Sequence, residues 1–179
     1  EAAPFVKVGG LGDVIGSLPK ALQDENVEAR VVLPLYSSID REKYNLQYKQ
    51  HIFIDLGWRH IYCGIFETEV NGVTYYFIDN EHYFNRSSVY GQDDDGERFA
   101  FFSKAALEIL PFIDYKPDIL NANDWHTALS IIYLDDFKSR GLDFYKDIKS
   151  VISIHNIEFQ GRFNPYEMGN LFGLDNKYF

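Results

Sequence analysis

The sequence predicts a three-layer α/β domain with a mostly parallel sheet. The first observation is a helix-strand step, because a helical pattern over about residues 14–26 leads into a short apolar strand at 28–33. The second is a strand-helix-strand pattern, with apolar strands at 117–122 and 150–154 on either side of a helix at 127–138. Because the carboxyl ends of successive parallel strands lie side by side, we expect a ligand crevice there.

Between these two patterns, residues 48–78 alternate apolar and polar side chains as antiparallel strands do. Asn71 and Gly72 separate two such runs, and this pair is a strong signal for a two-residue hairpin turn. We therefore expect a β-hairpin insertion, or an antiparallel edge, within a mixed sheet.

Residues 80–96 are polar, aromatic and rich in turn-forming residues, and so long a connection is typical of a functional loop. Asp93, Asp94 and Asp95 lie within it and could hold a divalent cation. The run lacks EF-hand spacing, and most such runs are solvated surface, so we predict no metal site. A helix is expected to follow at 97–110.

The composition is that of a globular, soluble protein of one ordinary domain, or of one lobe of a larger protein. Of its 179 residues, 46% are hydrophobic and 25% are charged, and no apolar run reaches the roughly 20 residues of a membrane span. A net charge of -10 argues against nonspecific binding to nucleic acid or to anionic membranes. The single cysteine, Cys63, excludes an internal disulfide, and its apolar neighbours predict a buried thiol.

A glycine-rich stretch at residues 7–13, Lys-Val-Gly-Gly-Leu-Gly-Asp, precedes the first predicted helix. Helix N-terminal N–H groups, the helix dipole and the charge of Lys7 favour a phosphate there, and the glycines allow close approach. The alternative interpretation is a tight turn with close packing of the helix. A dinucleotide-binding fingerprint is excluded because Ile15 stands where it requires glycine, and no P-loop pattern occurs.

Polar residues follow both strands of the later strand-helix-strand pattern. Asp124 either caps the next helix or is a site carboxylate. His126 lies in the first helical turn, where the dipole disfavours its cation, so we predict a neutral hydrogen-bonding ring. His155 ends an otherwise apolar strand that we expect to be buried, and its side chain either points into a cleft or is a hydrogen-bonded histidine of the core. We expect these residues and the glycine-rich stretch to converge on one crevice.

The chain begins at Glu1, almost directly before the glycine-rich stretch. In a doubly wound sheet such a stretch follows the first strand, so we expect a strand of the native protein to precede Glu1. The last three residues, Lys-Tyr-Phe at 177–179, are equally unlike a natural end. The sequence is therefore interpreted as a fragment.

Five motifs, in order along the whole chain, resemble those of bacterial glycogen synthases and plant starch synthases. They are Lys-Val-Gly-Gly-Leu-Gly-Asp-Val at 7–14 with Glu1 before it, Phe-Ile-Asp-Asn at 77–80 with Tyr83 and Phe84, Tyr90 and Gly91 with Glu-Arg-Phe at 97–99, Asn-Asp-Trp-His at 123–126, and Ser-Ile-His-Asn at 153–156 with Gln160 and Gly161. One departure is Asn-Ala-Asn at 121–123, where relatives often carry His-x-His or His-x-Asn.

The resemblance implies that residues 1–179 are part of the N-terminal Rossmann-like domain of a GT-B glycosyltransferase, whose C-terminal domain is absent from this chain. Such enzymes transfer glucose from ADP-glucose, or UDP-glucose in some relatives, to the nonreducing end of an α-1,4-glucan with retention. They need no cofactor or metal, and they are cytoplasmic, or plastidial in plants. A homo-oligomer is compatible with the family, and neither nucleic acid nor membrane is an expected partner.

The resemblance also assigns residue roles. Lys7, Gly9 and Gly10 would meet the donor diphosphate and glucose, and Asp13 would order their loop. The remaining site residues are Asp124 and His155, which would line the donor-sugar and acceptor side as the catalytic residues, and Tyr90, which would contribute to sugar binding. His155 is expected to hydrogen-bond the sugar and not to act as a nucleophile. The alternatives are another GT-B glycosyltransferase, or a noncatalytic module that binds carbohydrate or nucleotide.

Overall fold

The structure, a computed structural model, describes residues 1–178, and for residues 165–168 it describes the backbone alone. It confirms the α/β class. The chain forms two compact units, one of Glu1–Ile52 with Tyr62–Gly91 and the other of Phe53–Ile61 with Gln92–Phe179. Among the described residues, no helix is both long and apolar enough to cross a membrane.

The predicted helices and strands appear in the predicted order, with boundaries shifted by a few residues. The elements are α1 (Gly10–Asp24), β1 (Arg30–Pro34), β2 (Gln47–Leu56), β3 (Arg59–Val70), β4 (Val73–Asp79), α2 (Glu81–Phe84), α3 (Asp95–Glu108), β5 (Ile119–Asn123), α4 (Trp125–Ser139), β6 (Lys149–Ser153) and α5 (Pro165–Phe172), with short 3₁₀ helices at Leu110–Phe112, Asp143–Tyr145 and Asn176–Tyr178. Helices α2 and α5 were not predicted.

A mixed sheet forms the centre of the first unit. Strands β1 and β4 run parallel, and β3 pairs antiparallel with β4, with Val70 opposite Val73. The two residues between them, Asn71 and Gly72, have φ of +54° and +78°. Positive φ at both positions is what a type I′ turn requires, so the predicted hairpin is confirmed.

The strands are divided between two sheets, where the sequence predicts one that is mostly parallel. One sheet has four strands in the order β1-β4-β3-β2, and the other is the parallel pair β5-β6. The antiparallel hairpin accounts for the mixed character, because β3 pairs with β4 immediately after the turn. The parallel pair β5-β6 is the one that the strand-helix-strand pattern predicts, whereas the parallel pairing of β1 with β4 was not predicted.

Helix α1 begins four residues earlier than the prediction. It starts at Gly10 with Gly9 as its N-cap, so the glycine-rich stretch itself forms the first turn. The apolar periodicity that signals a helix begins only at Val14, which explains the late prediction. Close packing continues along this helix, since a Cβ on Gly16 would lie 2.8 Å from the Cβ of Ala3.

In the second unit, helices α3 and α4 pack together beside the pair β5-β6. Eleven of the fourteen residues of α3 are buried, so the predicted helix is covered on nearly all sides. Tyr133 of α4 is fully buried, and its hydroxyl donates a hydrogen bond of 2.7 Å to the carbonyl of Phe172 in α5. This bond ties the last α-helix to the middle of α4.

Strand β6 is exposed, so the prediction that it is buried is wrong. Val151 and Ile152 are 49% and 44% exposed. The run is apolar, which favours a buried strand, but burial depends on what covers a strand. Among the described residues β6 pairs with β5 alone.

The Tyr133 bond predicts a specific loss of stability. We expect Tyr133→Phe to lower the free energy of unfolding by about 1 kcal/mol, because it removes a buried hydrogen bond. The matched control is Tyr178→Phe, whose hydroxyl donates to Asp135 at the surface and whose loss should cost under about 0.5 kcal/mol. Urea denaturation of both variants measures the difference, and equal losses would contradict the prediction.

Candidate functional site

The glycine-rich stretch is held by a carboxylate of the same chain. Glu1 Oε2 accepts hydrogen bonds from the N–H groups of Val8 at 2.6 Å and Gly9 at 2.8 Å. Val8 and Gly9 lie in the stretch that is predicted to bind a phosphate, but their N–H groups already donate to Glu1. The N-cap residue is Gly9, which has no side chain to bond the helix end. The N–H groups from Gly10 onward are therefore the better candidates for binding an anion.

The two interpretations of this stretch apply to different glycines. A Cβ on Gly12 would lie 3.0 Å from Lys7 Cγ and 3.2 Å from Glu1 Oε2, so the helix packs tightly there and a larger residue would displace these side chains by a few tenths of an ångström. A Cβ on Gly9 or Gly10 would meet no described atom within 4 Å. The space beside Gly9 and Gly10 is therefore open to a ligand.

Lys7 and Asp13 form an ion pair at the start of α1. Their Nζ and Oδ1 atoms are 2.8 Å apart, and the two side chains are 52% and 60% exposed. Such exposed pairs contribute about 0–1 kcal/mol, so an anionic ligand can displace the Asp13 carboxylate from Lys7 at little cost. The contact is consistent with an ordering role for Asp13, which stays a prediction.

Asp124 does not cap α4, so that alternative is wrong. It occupies the N-cap position, yet its side chain makes no cap bond. The carboxylate is buried, and Oδ1 instead accepts the N–H of His155 at 2.7 Å and, more weakly, that of Asn156 at 3.4 Å. The backbone of Asp124 has φ +58° and ψ 179°, a conformation that costs about 1–3 kcal/mol for a residue other than glycine. Such strain at a strand end is common at binding sites.

His155 lies beside Asp124, as the sequence predicts. Strands β5 and β6 are parallel with Asn123 opposite Ser153, which brings their carboxyl ends together. The ring of His155 is exposed, and its Nε2 lies 2.9 Å from Asn123 Oδ1. Because an amide oxygen only accepts, Nε2 is the donor in this contact, and Nδ1 takes no part in it.

A cleft of about 580 Å³ lies next to this strand end in the second unit. Three aromatic side chains and five polar ones line it together with Gly161: Trp125, Phe159, Phe163, Gln92, Asp95, Glu158, Gln160 and Arg162. Gly161 has φ +58°, and a Cβ there would overlap the Trp125 ring, so the loop after β6 rests directly on that ring. Aromatic faces with carboxylate, amide and guanidinium groups are suited to a neutral polyhydroxylated ligand.

The loop of residues 80–96 is partly helical, since α2 lies within it. Tyr90 is half-buried in the first unit, and its carbonyl accepts a hydrogen bond from the Ser88 hydroxyl at 2.8 Å. Asp95 begins α3 and forms an ion pair with the buried Arg98 at 3.2 Å. Among the described residues, no group of three His, Cys, Asp or Glu side chains could hold a metal ion.

His126 is a neutral ring, as the sequence predicts. Burial lowers its pKa from 6.5 to about 4, and its ring contacts the edge-on ring of Phe99 at a centroid distance of 4.9 Å. Its backbone carbonyl accepts the Ser103 hydroxyl at 3.3 Å. His126 therefore links α3 to the start of α4.

The predicted site residues thus form two clusters, one in each unit. Lys7, Gly9, Gly10 and Asp13 cluster in the first unit, which also contains Tyr90, and Asp124 and His155 cluster in the second. Their convergence on one crevice stays a prediction.

Sequence reasoning missed the roles of two residues. Glu1 and Gly161 each belong to a motif of the family resemblance, but neither motif assigns them a function. The position of Glu1 within the same motif as the glycines is the one signal that points to its role. The contact of Gly161 with Trp125 joins residues 36 positions apart, and no local pattern reveals it.

The pKa of His126 predicts a pH-dependent stability. The unfolded chain binds a proton at this residue below about pH 6.5 and the folded chain does not until about pH 4. Stability should therefore fall as the pH drops through this window, by up to about 3 kcal/mol. In His126→Gln this part of the pH dependence should disappear, while the exposed His82→Gln should keep it. Urea denaturation between pH 4 and 7 tests this, and an unchanged slope in His126→Gln would contradict it.

Known proteins resemble this chain in both sequence and fold. Residues 1–179 match the family described as starch synthase catalytic domain. The chain is 51% identical over 176 residues to a protein named glycogen synthase from Clostridium botulinum, covering 98% of this chain and 37% of that protein. It is 49% identical over 181 residues to a glycogen synthase from Lactobacillus acidophilus, covering 100% of this chain and 38% of the relative.

A solved structure is also similar. It is the catalytic domain of starch synthase IV from Arabidopsis thaliana bound to ADP and acarbose, with a TM-score of 0.88 and 35% identity, covering 99% of this chain and 36% of that one. The chain therefore spans little more than a third of the length of the proteins that it matches. Because the family match, the sequence identity and the fold all extend over the whole chain, the protein belongs to the starch synthase catalytic domain family.

Proposed function

We propose that the full-length protein containing this chain is a glycogen synthase, which transfers glucose from ADP-glucose to the nonreducing end of an α-1,4-glucan with retention. The observation that carries the proposal is the match along the whole chain to proteins named glycogen synthase at about half identity. The starch synthase IV structure supports the choice of donor, because ADP is what remains when glucose leaves ADP-glucose. We place the enzyme in the cytoplasm, and the chain forms part of the first of two Rossmann-like domains.

The donor side is proposed at the start of α1. The open space beside Gly9 and Gly10 admits the diphosphate close to the backbone, and the positive end of the helix dipole favours it there. Lys7 exchanges its exposed pairing with Asp13 for the phosphate oxygens. As glucose leaves, negative charge grows on the diphosphate, and the lysine and the helix-end N–H groups stabilise it.

The sugar side is proposed at the carboxyl ends of β5 and β6. Asp124 fixes the N–H of His155, and the exposed ring of His155 offers a hydrogen-bonding nitrogen to a sugar hydroxyl. The aromatic cleft beside Trp125 is suited to the glucan acceptor, whose apolar ring faces pack on aromatic side chains. Tyr90 is proposed as a further sugar contact. No side chain of this chain is assigned as a covalent nucleophile.

A transfer assay on the full-length protein tests the function. Radiolabelled glucose from ADP-glucose should appear in glycogen, and digestion should place it in new α-1,4 linkages. Glucose transferred to an acceptor other than a glucan would identify a different glycosyltransferase. Binding of glycogen or ADP without any transfer would identify a noncatalytic module.

Residues 1–179 alone should be inactive in the same assay. In a two-domain transferase the reacting atoms are aligned only when both domains contribute, and a displacement of about 1 Å can already cost a hundredfold in rate. Incorporation should be at background for the fragment and should return with the complete chain. Robust incorporation by the fragment would show that the catalytic groups lie within it.

Lys7→Gln in the full-length protein tests the donor side. We expect the KM for ADP-glucose to rise roughly ten- to a hundredfold and the KM for glycogen to stay unchanged, because the lost charge faces a diphosphate and not a neutral sugar. The matched control is Lys20→Gln. It breaks the exposed ion pair of 3.0 Å between Lys20 and Asp24 on α1 and should change neither KM. An altered glycogen KM with an unchanged donor KM would contradict the assignment.

A further inference from the structure

The side chain of Glu1 bonds the loop before α1 at two points. A single carboxylate oxygen, Oε2, accepts both the Val8 and the Gly9 N–H, at 2.6 Å and 2.8 Å. Hydrogen bonds from N–H groups to a carboxylate are shorter and roughly twice as strong as those between neutral groups. The two bonds fix the peptide units that follow Lys7 and precede the start of the helix.

The backbone of the segment around Glu1 is itself attached to α1. The N–H of Ala3 donates to the carbonyl of Gly12 at 2.9 Å, and Ala2 forms a bridge with Val6. Gly16, one turn after Gly12, allows the backbone of Ala3 to lie directly against the helix. Glu1 therefore connects the loop to a part of the chain that is already fixed on α1.

The carboxylate also lies beside the stem of Lys7. The position of a Cβ on Gly12 is 3.2 Å from Glu1 Oε2 and 3.0 Å from Lys7 Cγ, so both side chains pass over the same glycine. The Lys7 side chain is thus confined at its base by this packing and at its end by Asp13.

We infer that Glu1 is a positioning residue, whose carboxylate holds the Val8 and Gly9 N–H groups so that Lys7 and the helix end are prearranged for the donor diphosphate. Glu1 acts through these residues and not by contact with the donor. Prearrangement lowers the ordering cost of binding, so it acts on donor affinity. The inference rests on the proposed function only for the identity of the ligand.

Because Glu1 is negatively charged, its two possible roles predict opposite changes in donor affinity when the charge is removed. If the carboxylate merely occupied an anion site, it would compete with the diphosphate, and its removal would tighten donor binding. If it positions the loop, its removal weakens donor binding although a negative charge has been taken away. The two roles therefore predict opposite shifts of the same constant.

The experiment uses Glu1→Gln and Glu1→Ala in the full-length protein, with the exposed Glu25→Gln as the matched control. We expect the KM for ADP-glucose to rise about threefold in Glu1→Gln, which keeps a neutral acceptor, and about tenfold in Glu1→Ala, which keeps none. The KM for glycogen and the midpoint of thermal unfolding should change little. A donor KM that is unchanged or lowered in both variants would overturn the inference.

Hydrogen exchange provides a readout that does not depend on activity. In the unliganded protein, the amides of Val8 and Gly9 should exchange about tenfold faster in Glu1→Ala than in the wild type, while those in the middle of α1 should not change. Equal exchange at Val8 and Gly9 would overturn the positioning role whatever the enzyme transfers. Faster exchange in a protein that transfers no glucose would instead reject the proposed function and leave the positioning role established.

Discussion

The candidate site of the second unit depends on one interaction, the acceptance of the His155 N–H by the carboxylate of Asp124. This bond joins the carboxyl end of β5 to the residues that follow β6, and it holds Asp124 in a backbone conformation that is unfavourable for any residue with a side chain. Because the carboxylate is buried, few other groups could satisfy it. The arrangement of Asn123, His155 and the loop that rests on Trp125 follows from it.

At the start of α1, a second carboxylate likewise holds the backbone in place by accepting N–H groups. Glu1 satisfies N–H groups of the loop before the helix, as Asp124 satisfies those after β6. In both places an acidic side chain fixes the backbone of another segment, which a ligand would otherwise have to order. The proposed sugar and diphosphate ligands would then each meet groups that already have their final positions.

The fold was predictable where its signals are local. The Asn71-Gly72 turn, the apolar strands and the intervening helix each depend on neighbouring residues, and all appear where the sequence places them. The partner of Asp124 was not predictable, because the bond to His155 spans 31 residues and competes with a common local role as a helix cap. The exposure of Val151 and Ile152 escaped prediction for a related reason, since an apolar pattern records what a strand can bury and not what covers it.

The placement of Trp125 on the cleft wall has a spectroscopic consequence. This chain contains two tryptophans, and the other, Trp58, is 78% exposed at the turn between β2 and β3. Indole emission shifts with the polarity around the ring, so Trp58 contributes a solvent-like signal while Trp125 responds to whatever enters beside Gly161. Replacing Trp58 by phenylalanine would leave Trp125 as the single tryptophan of this chain, and its emission, excited at wavelengths that tyrosine does not absorb, would then report occupancy of the cleft without a label.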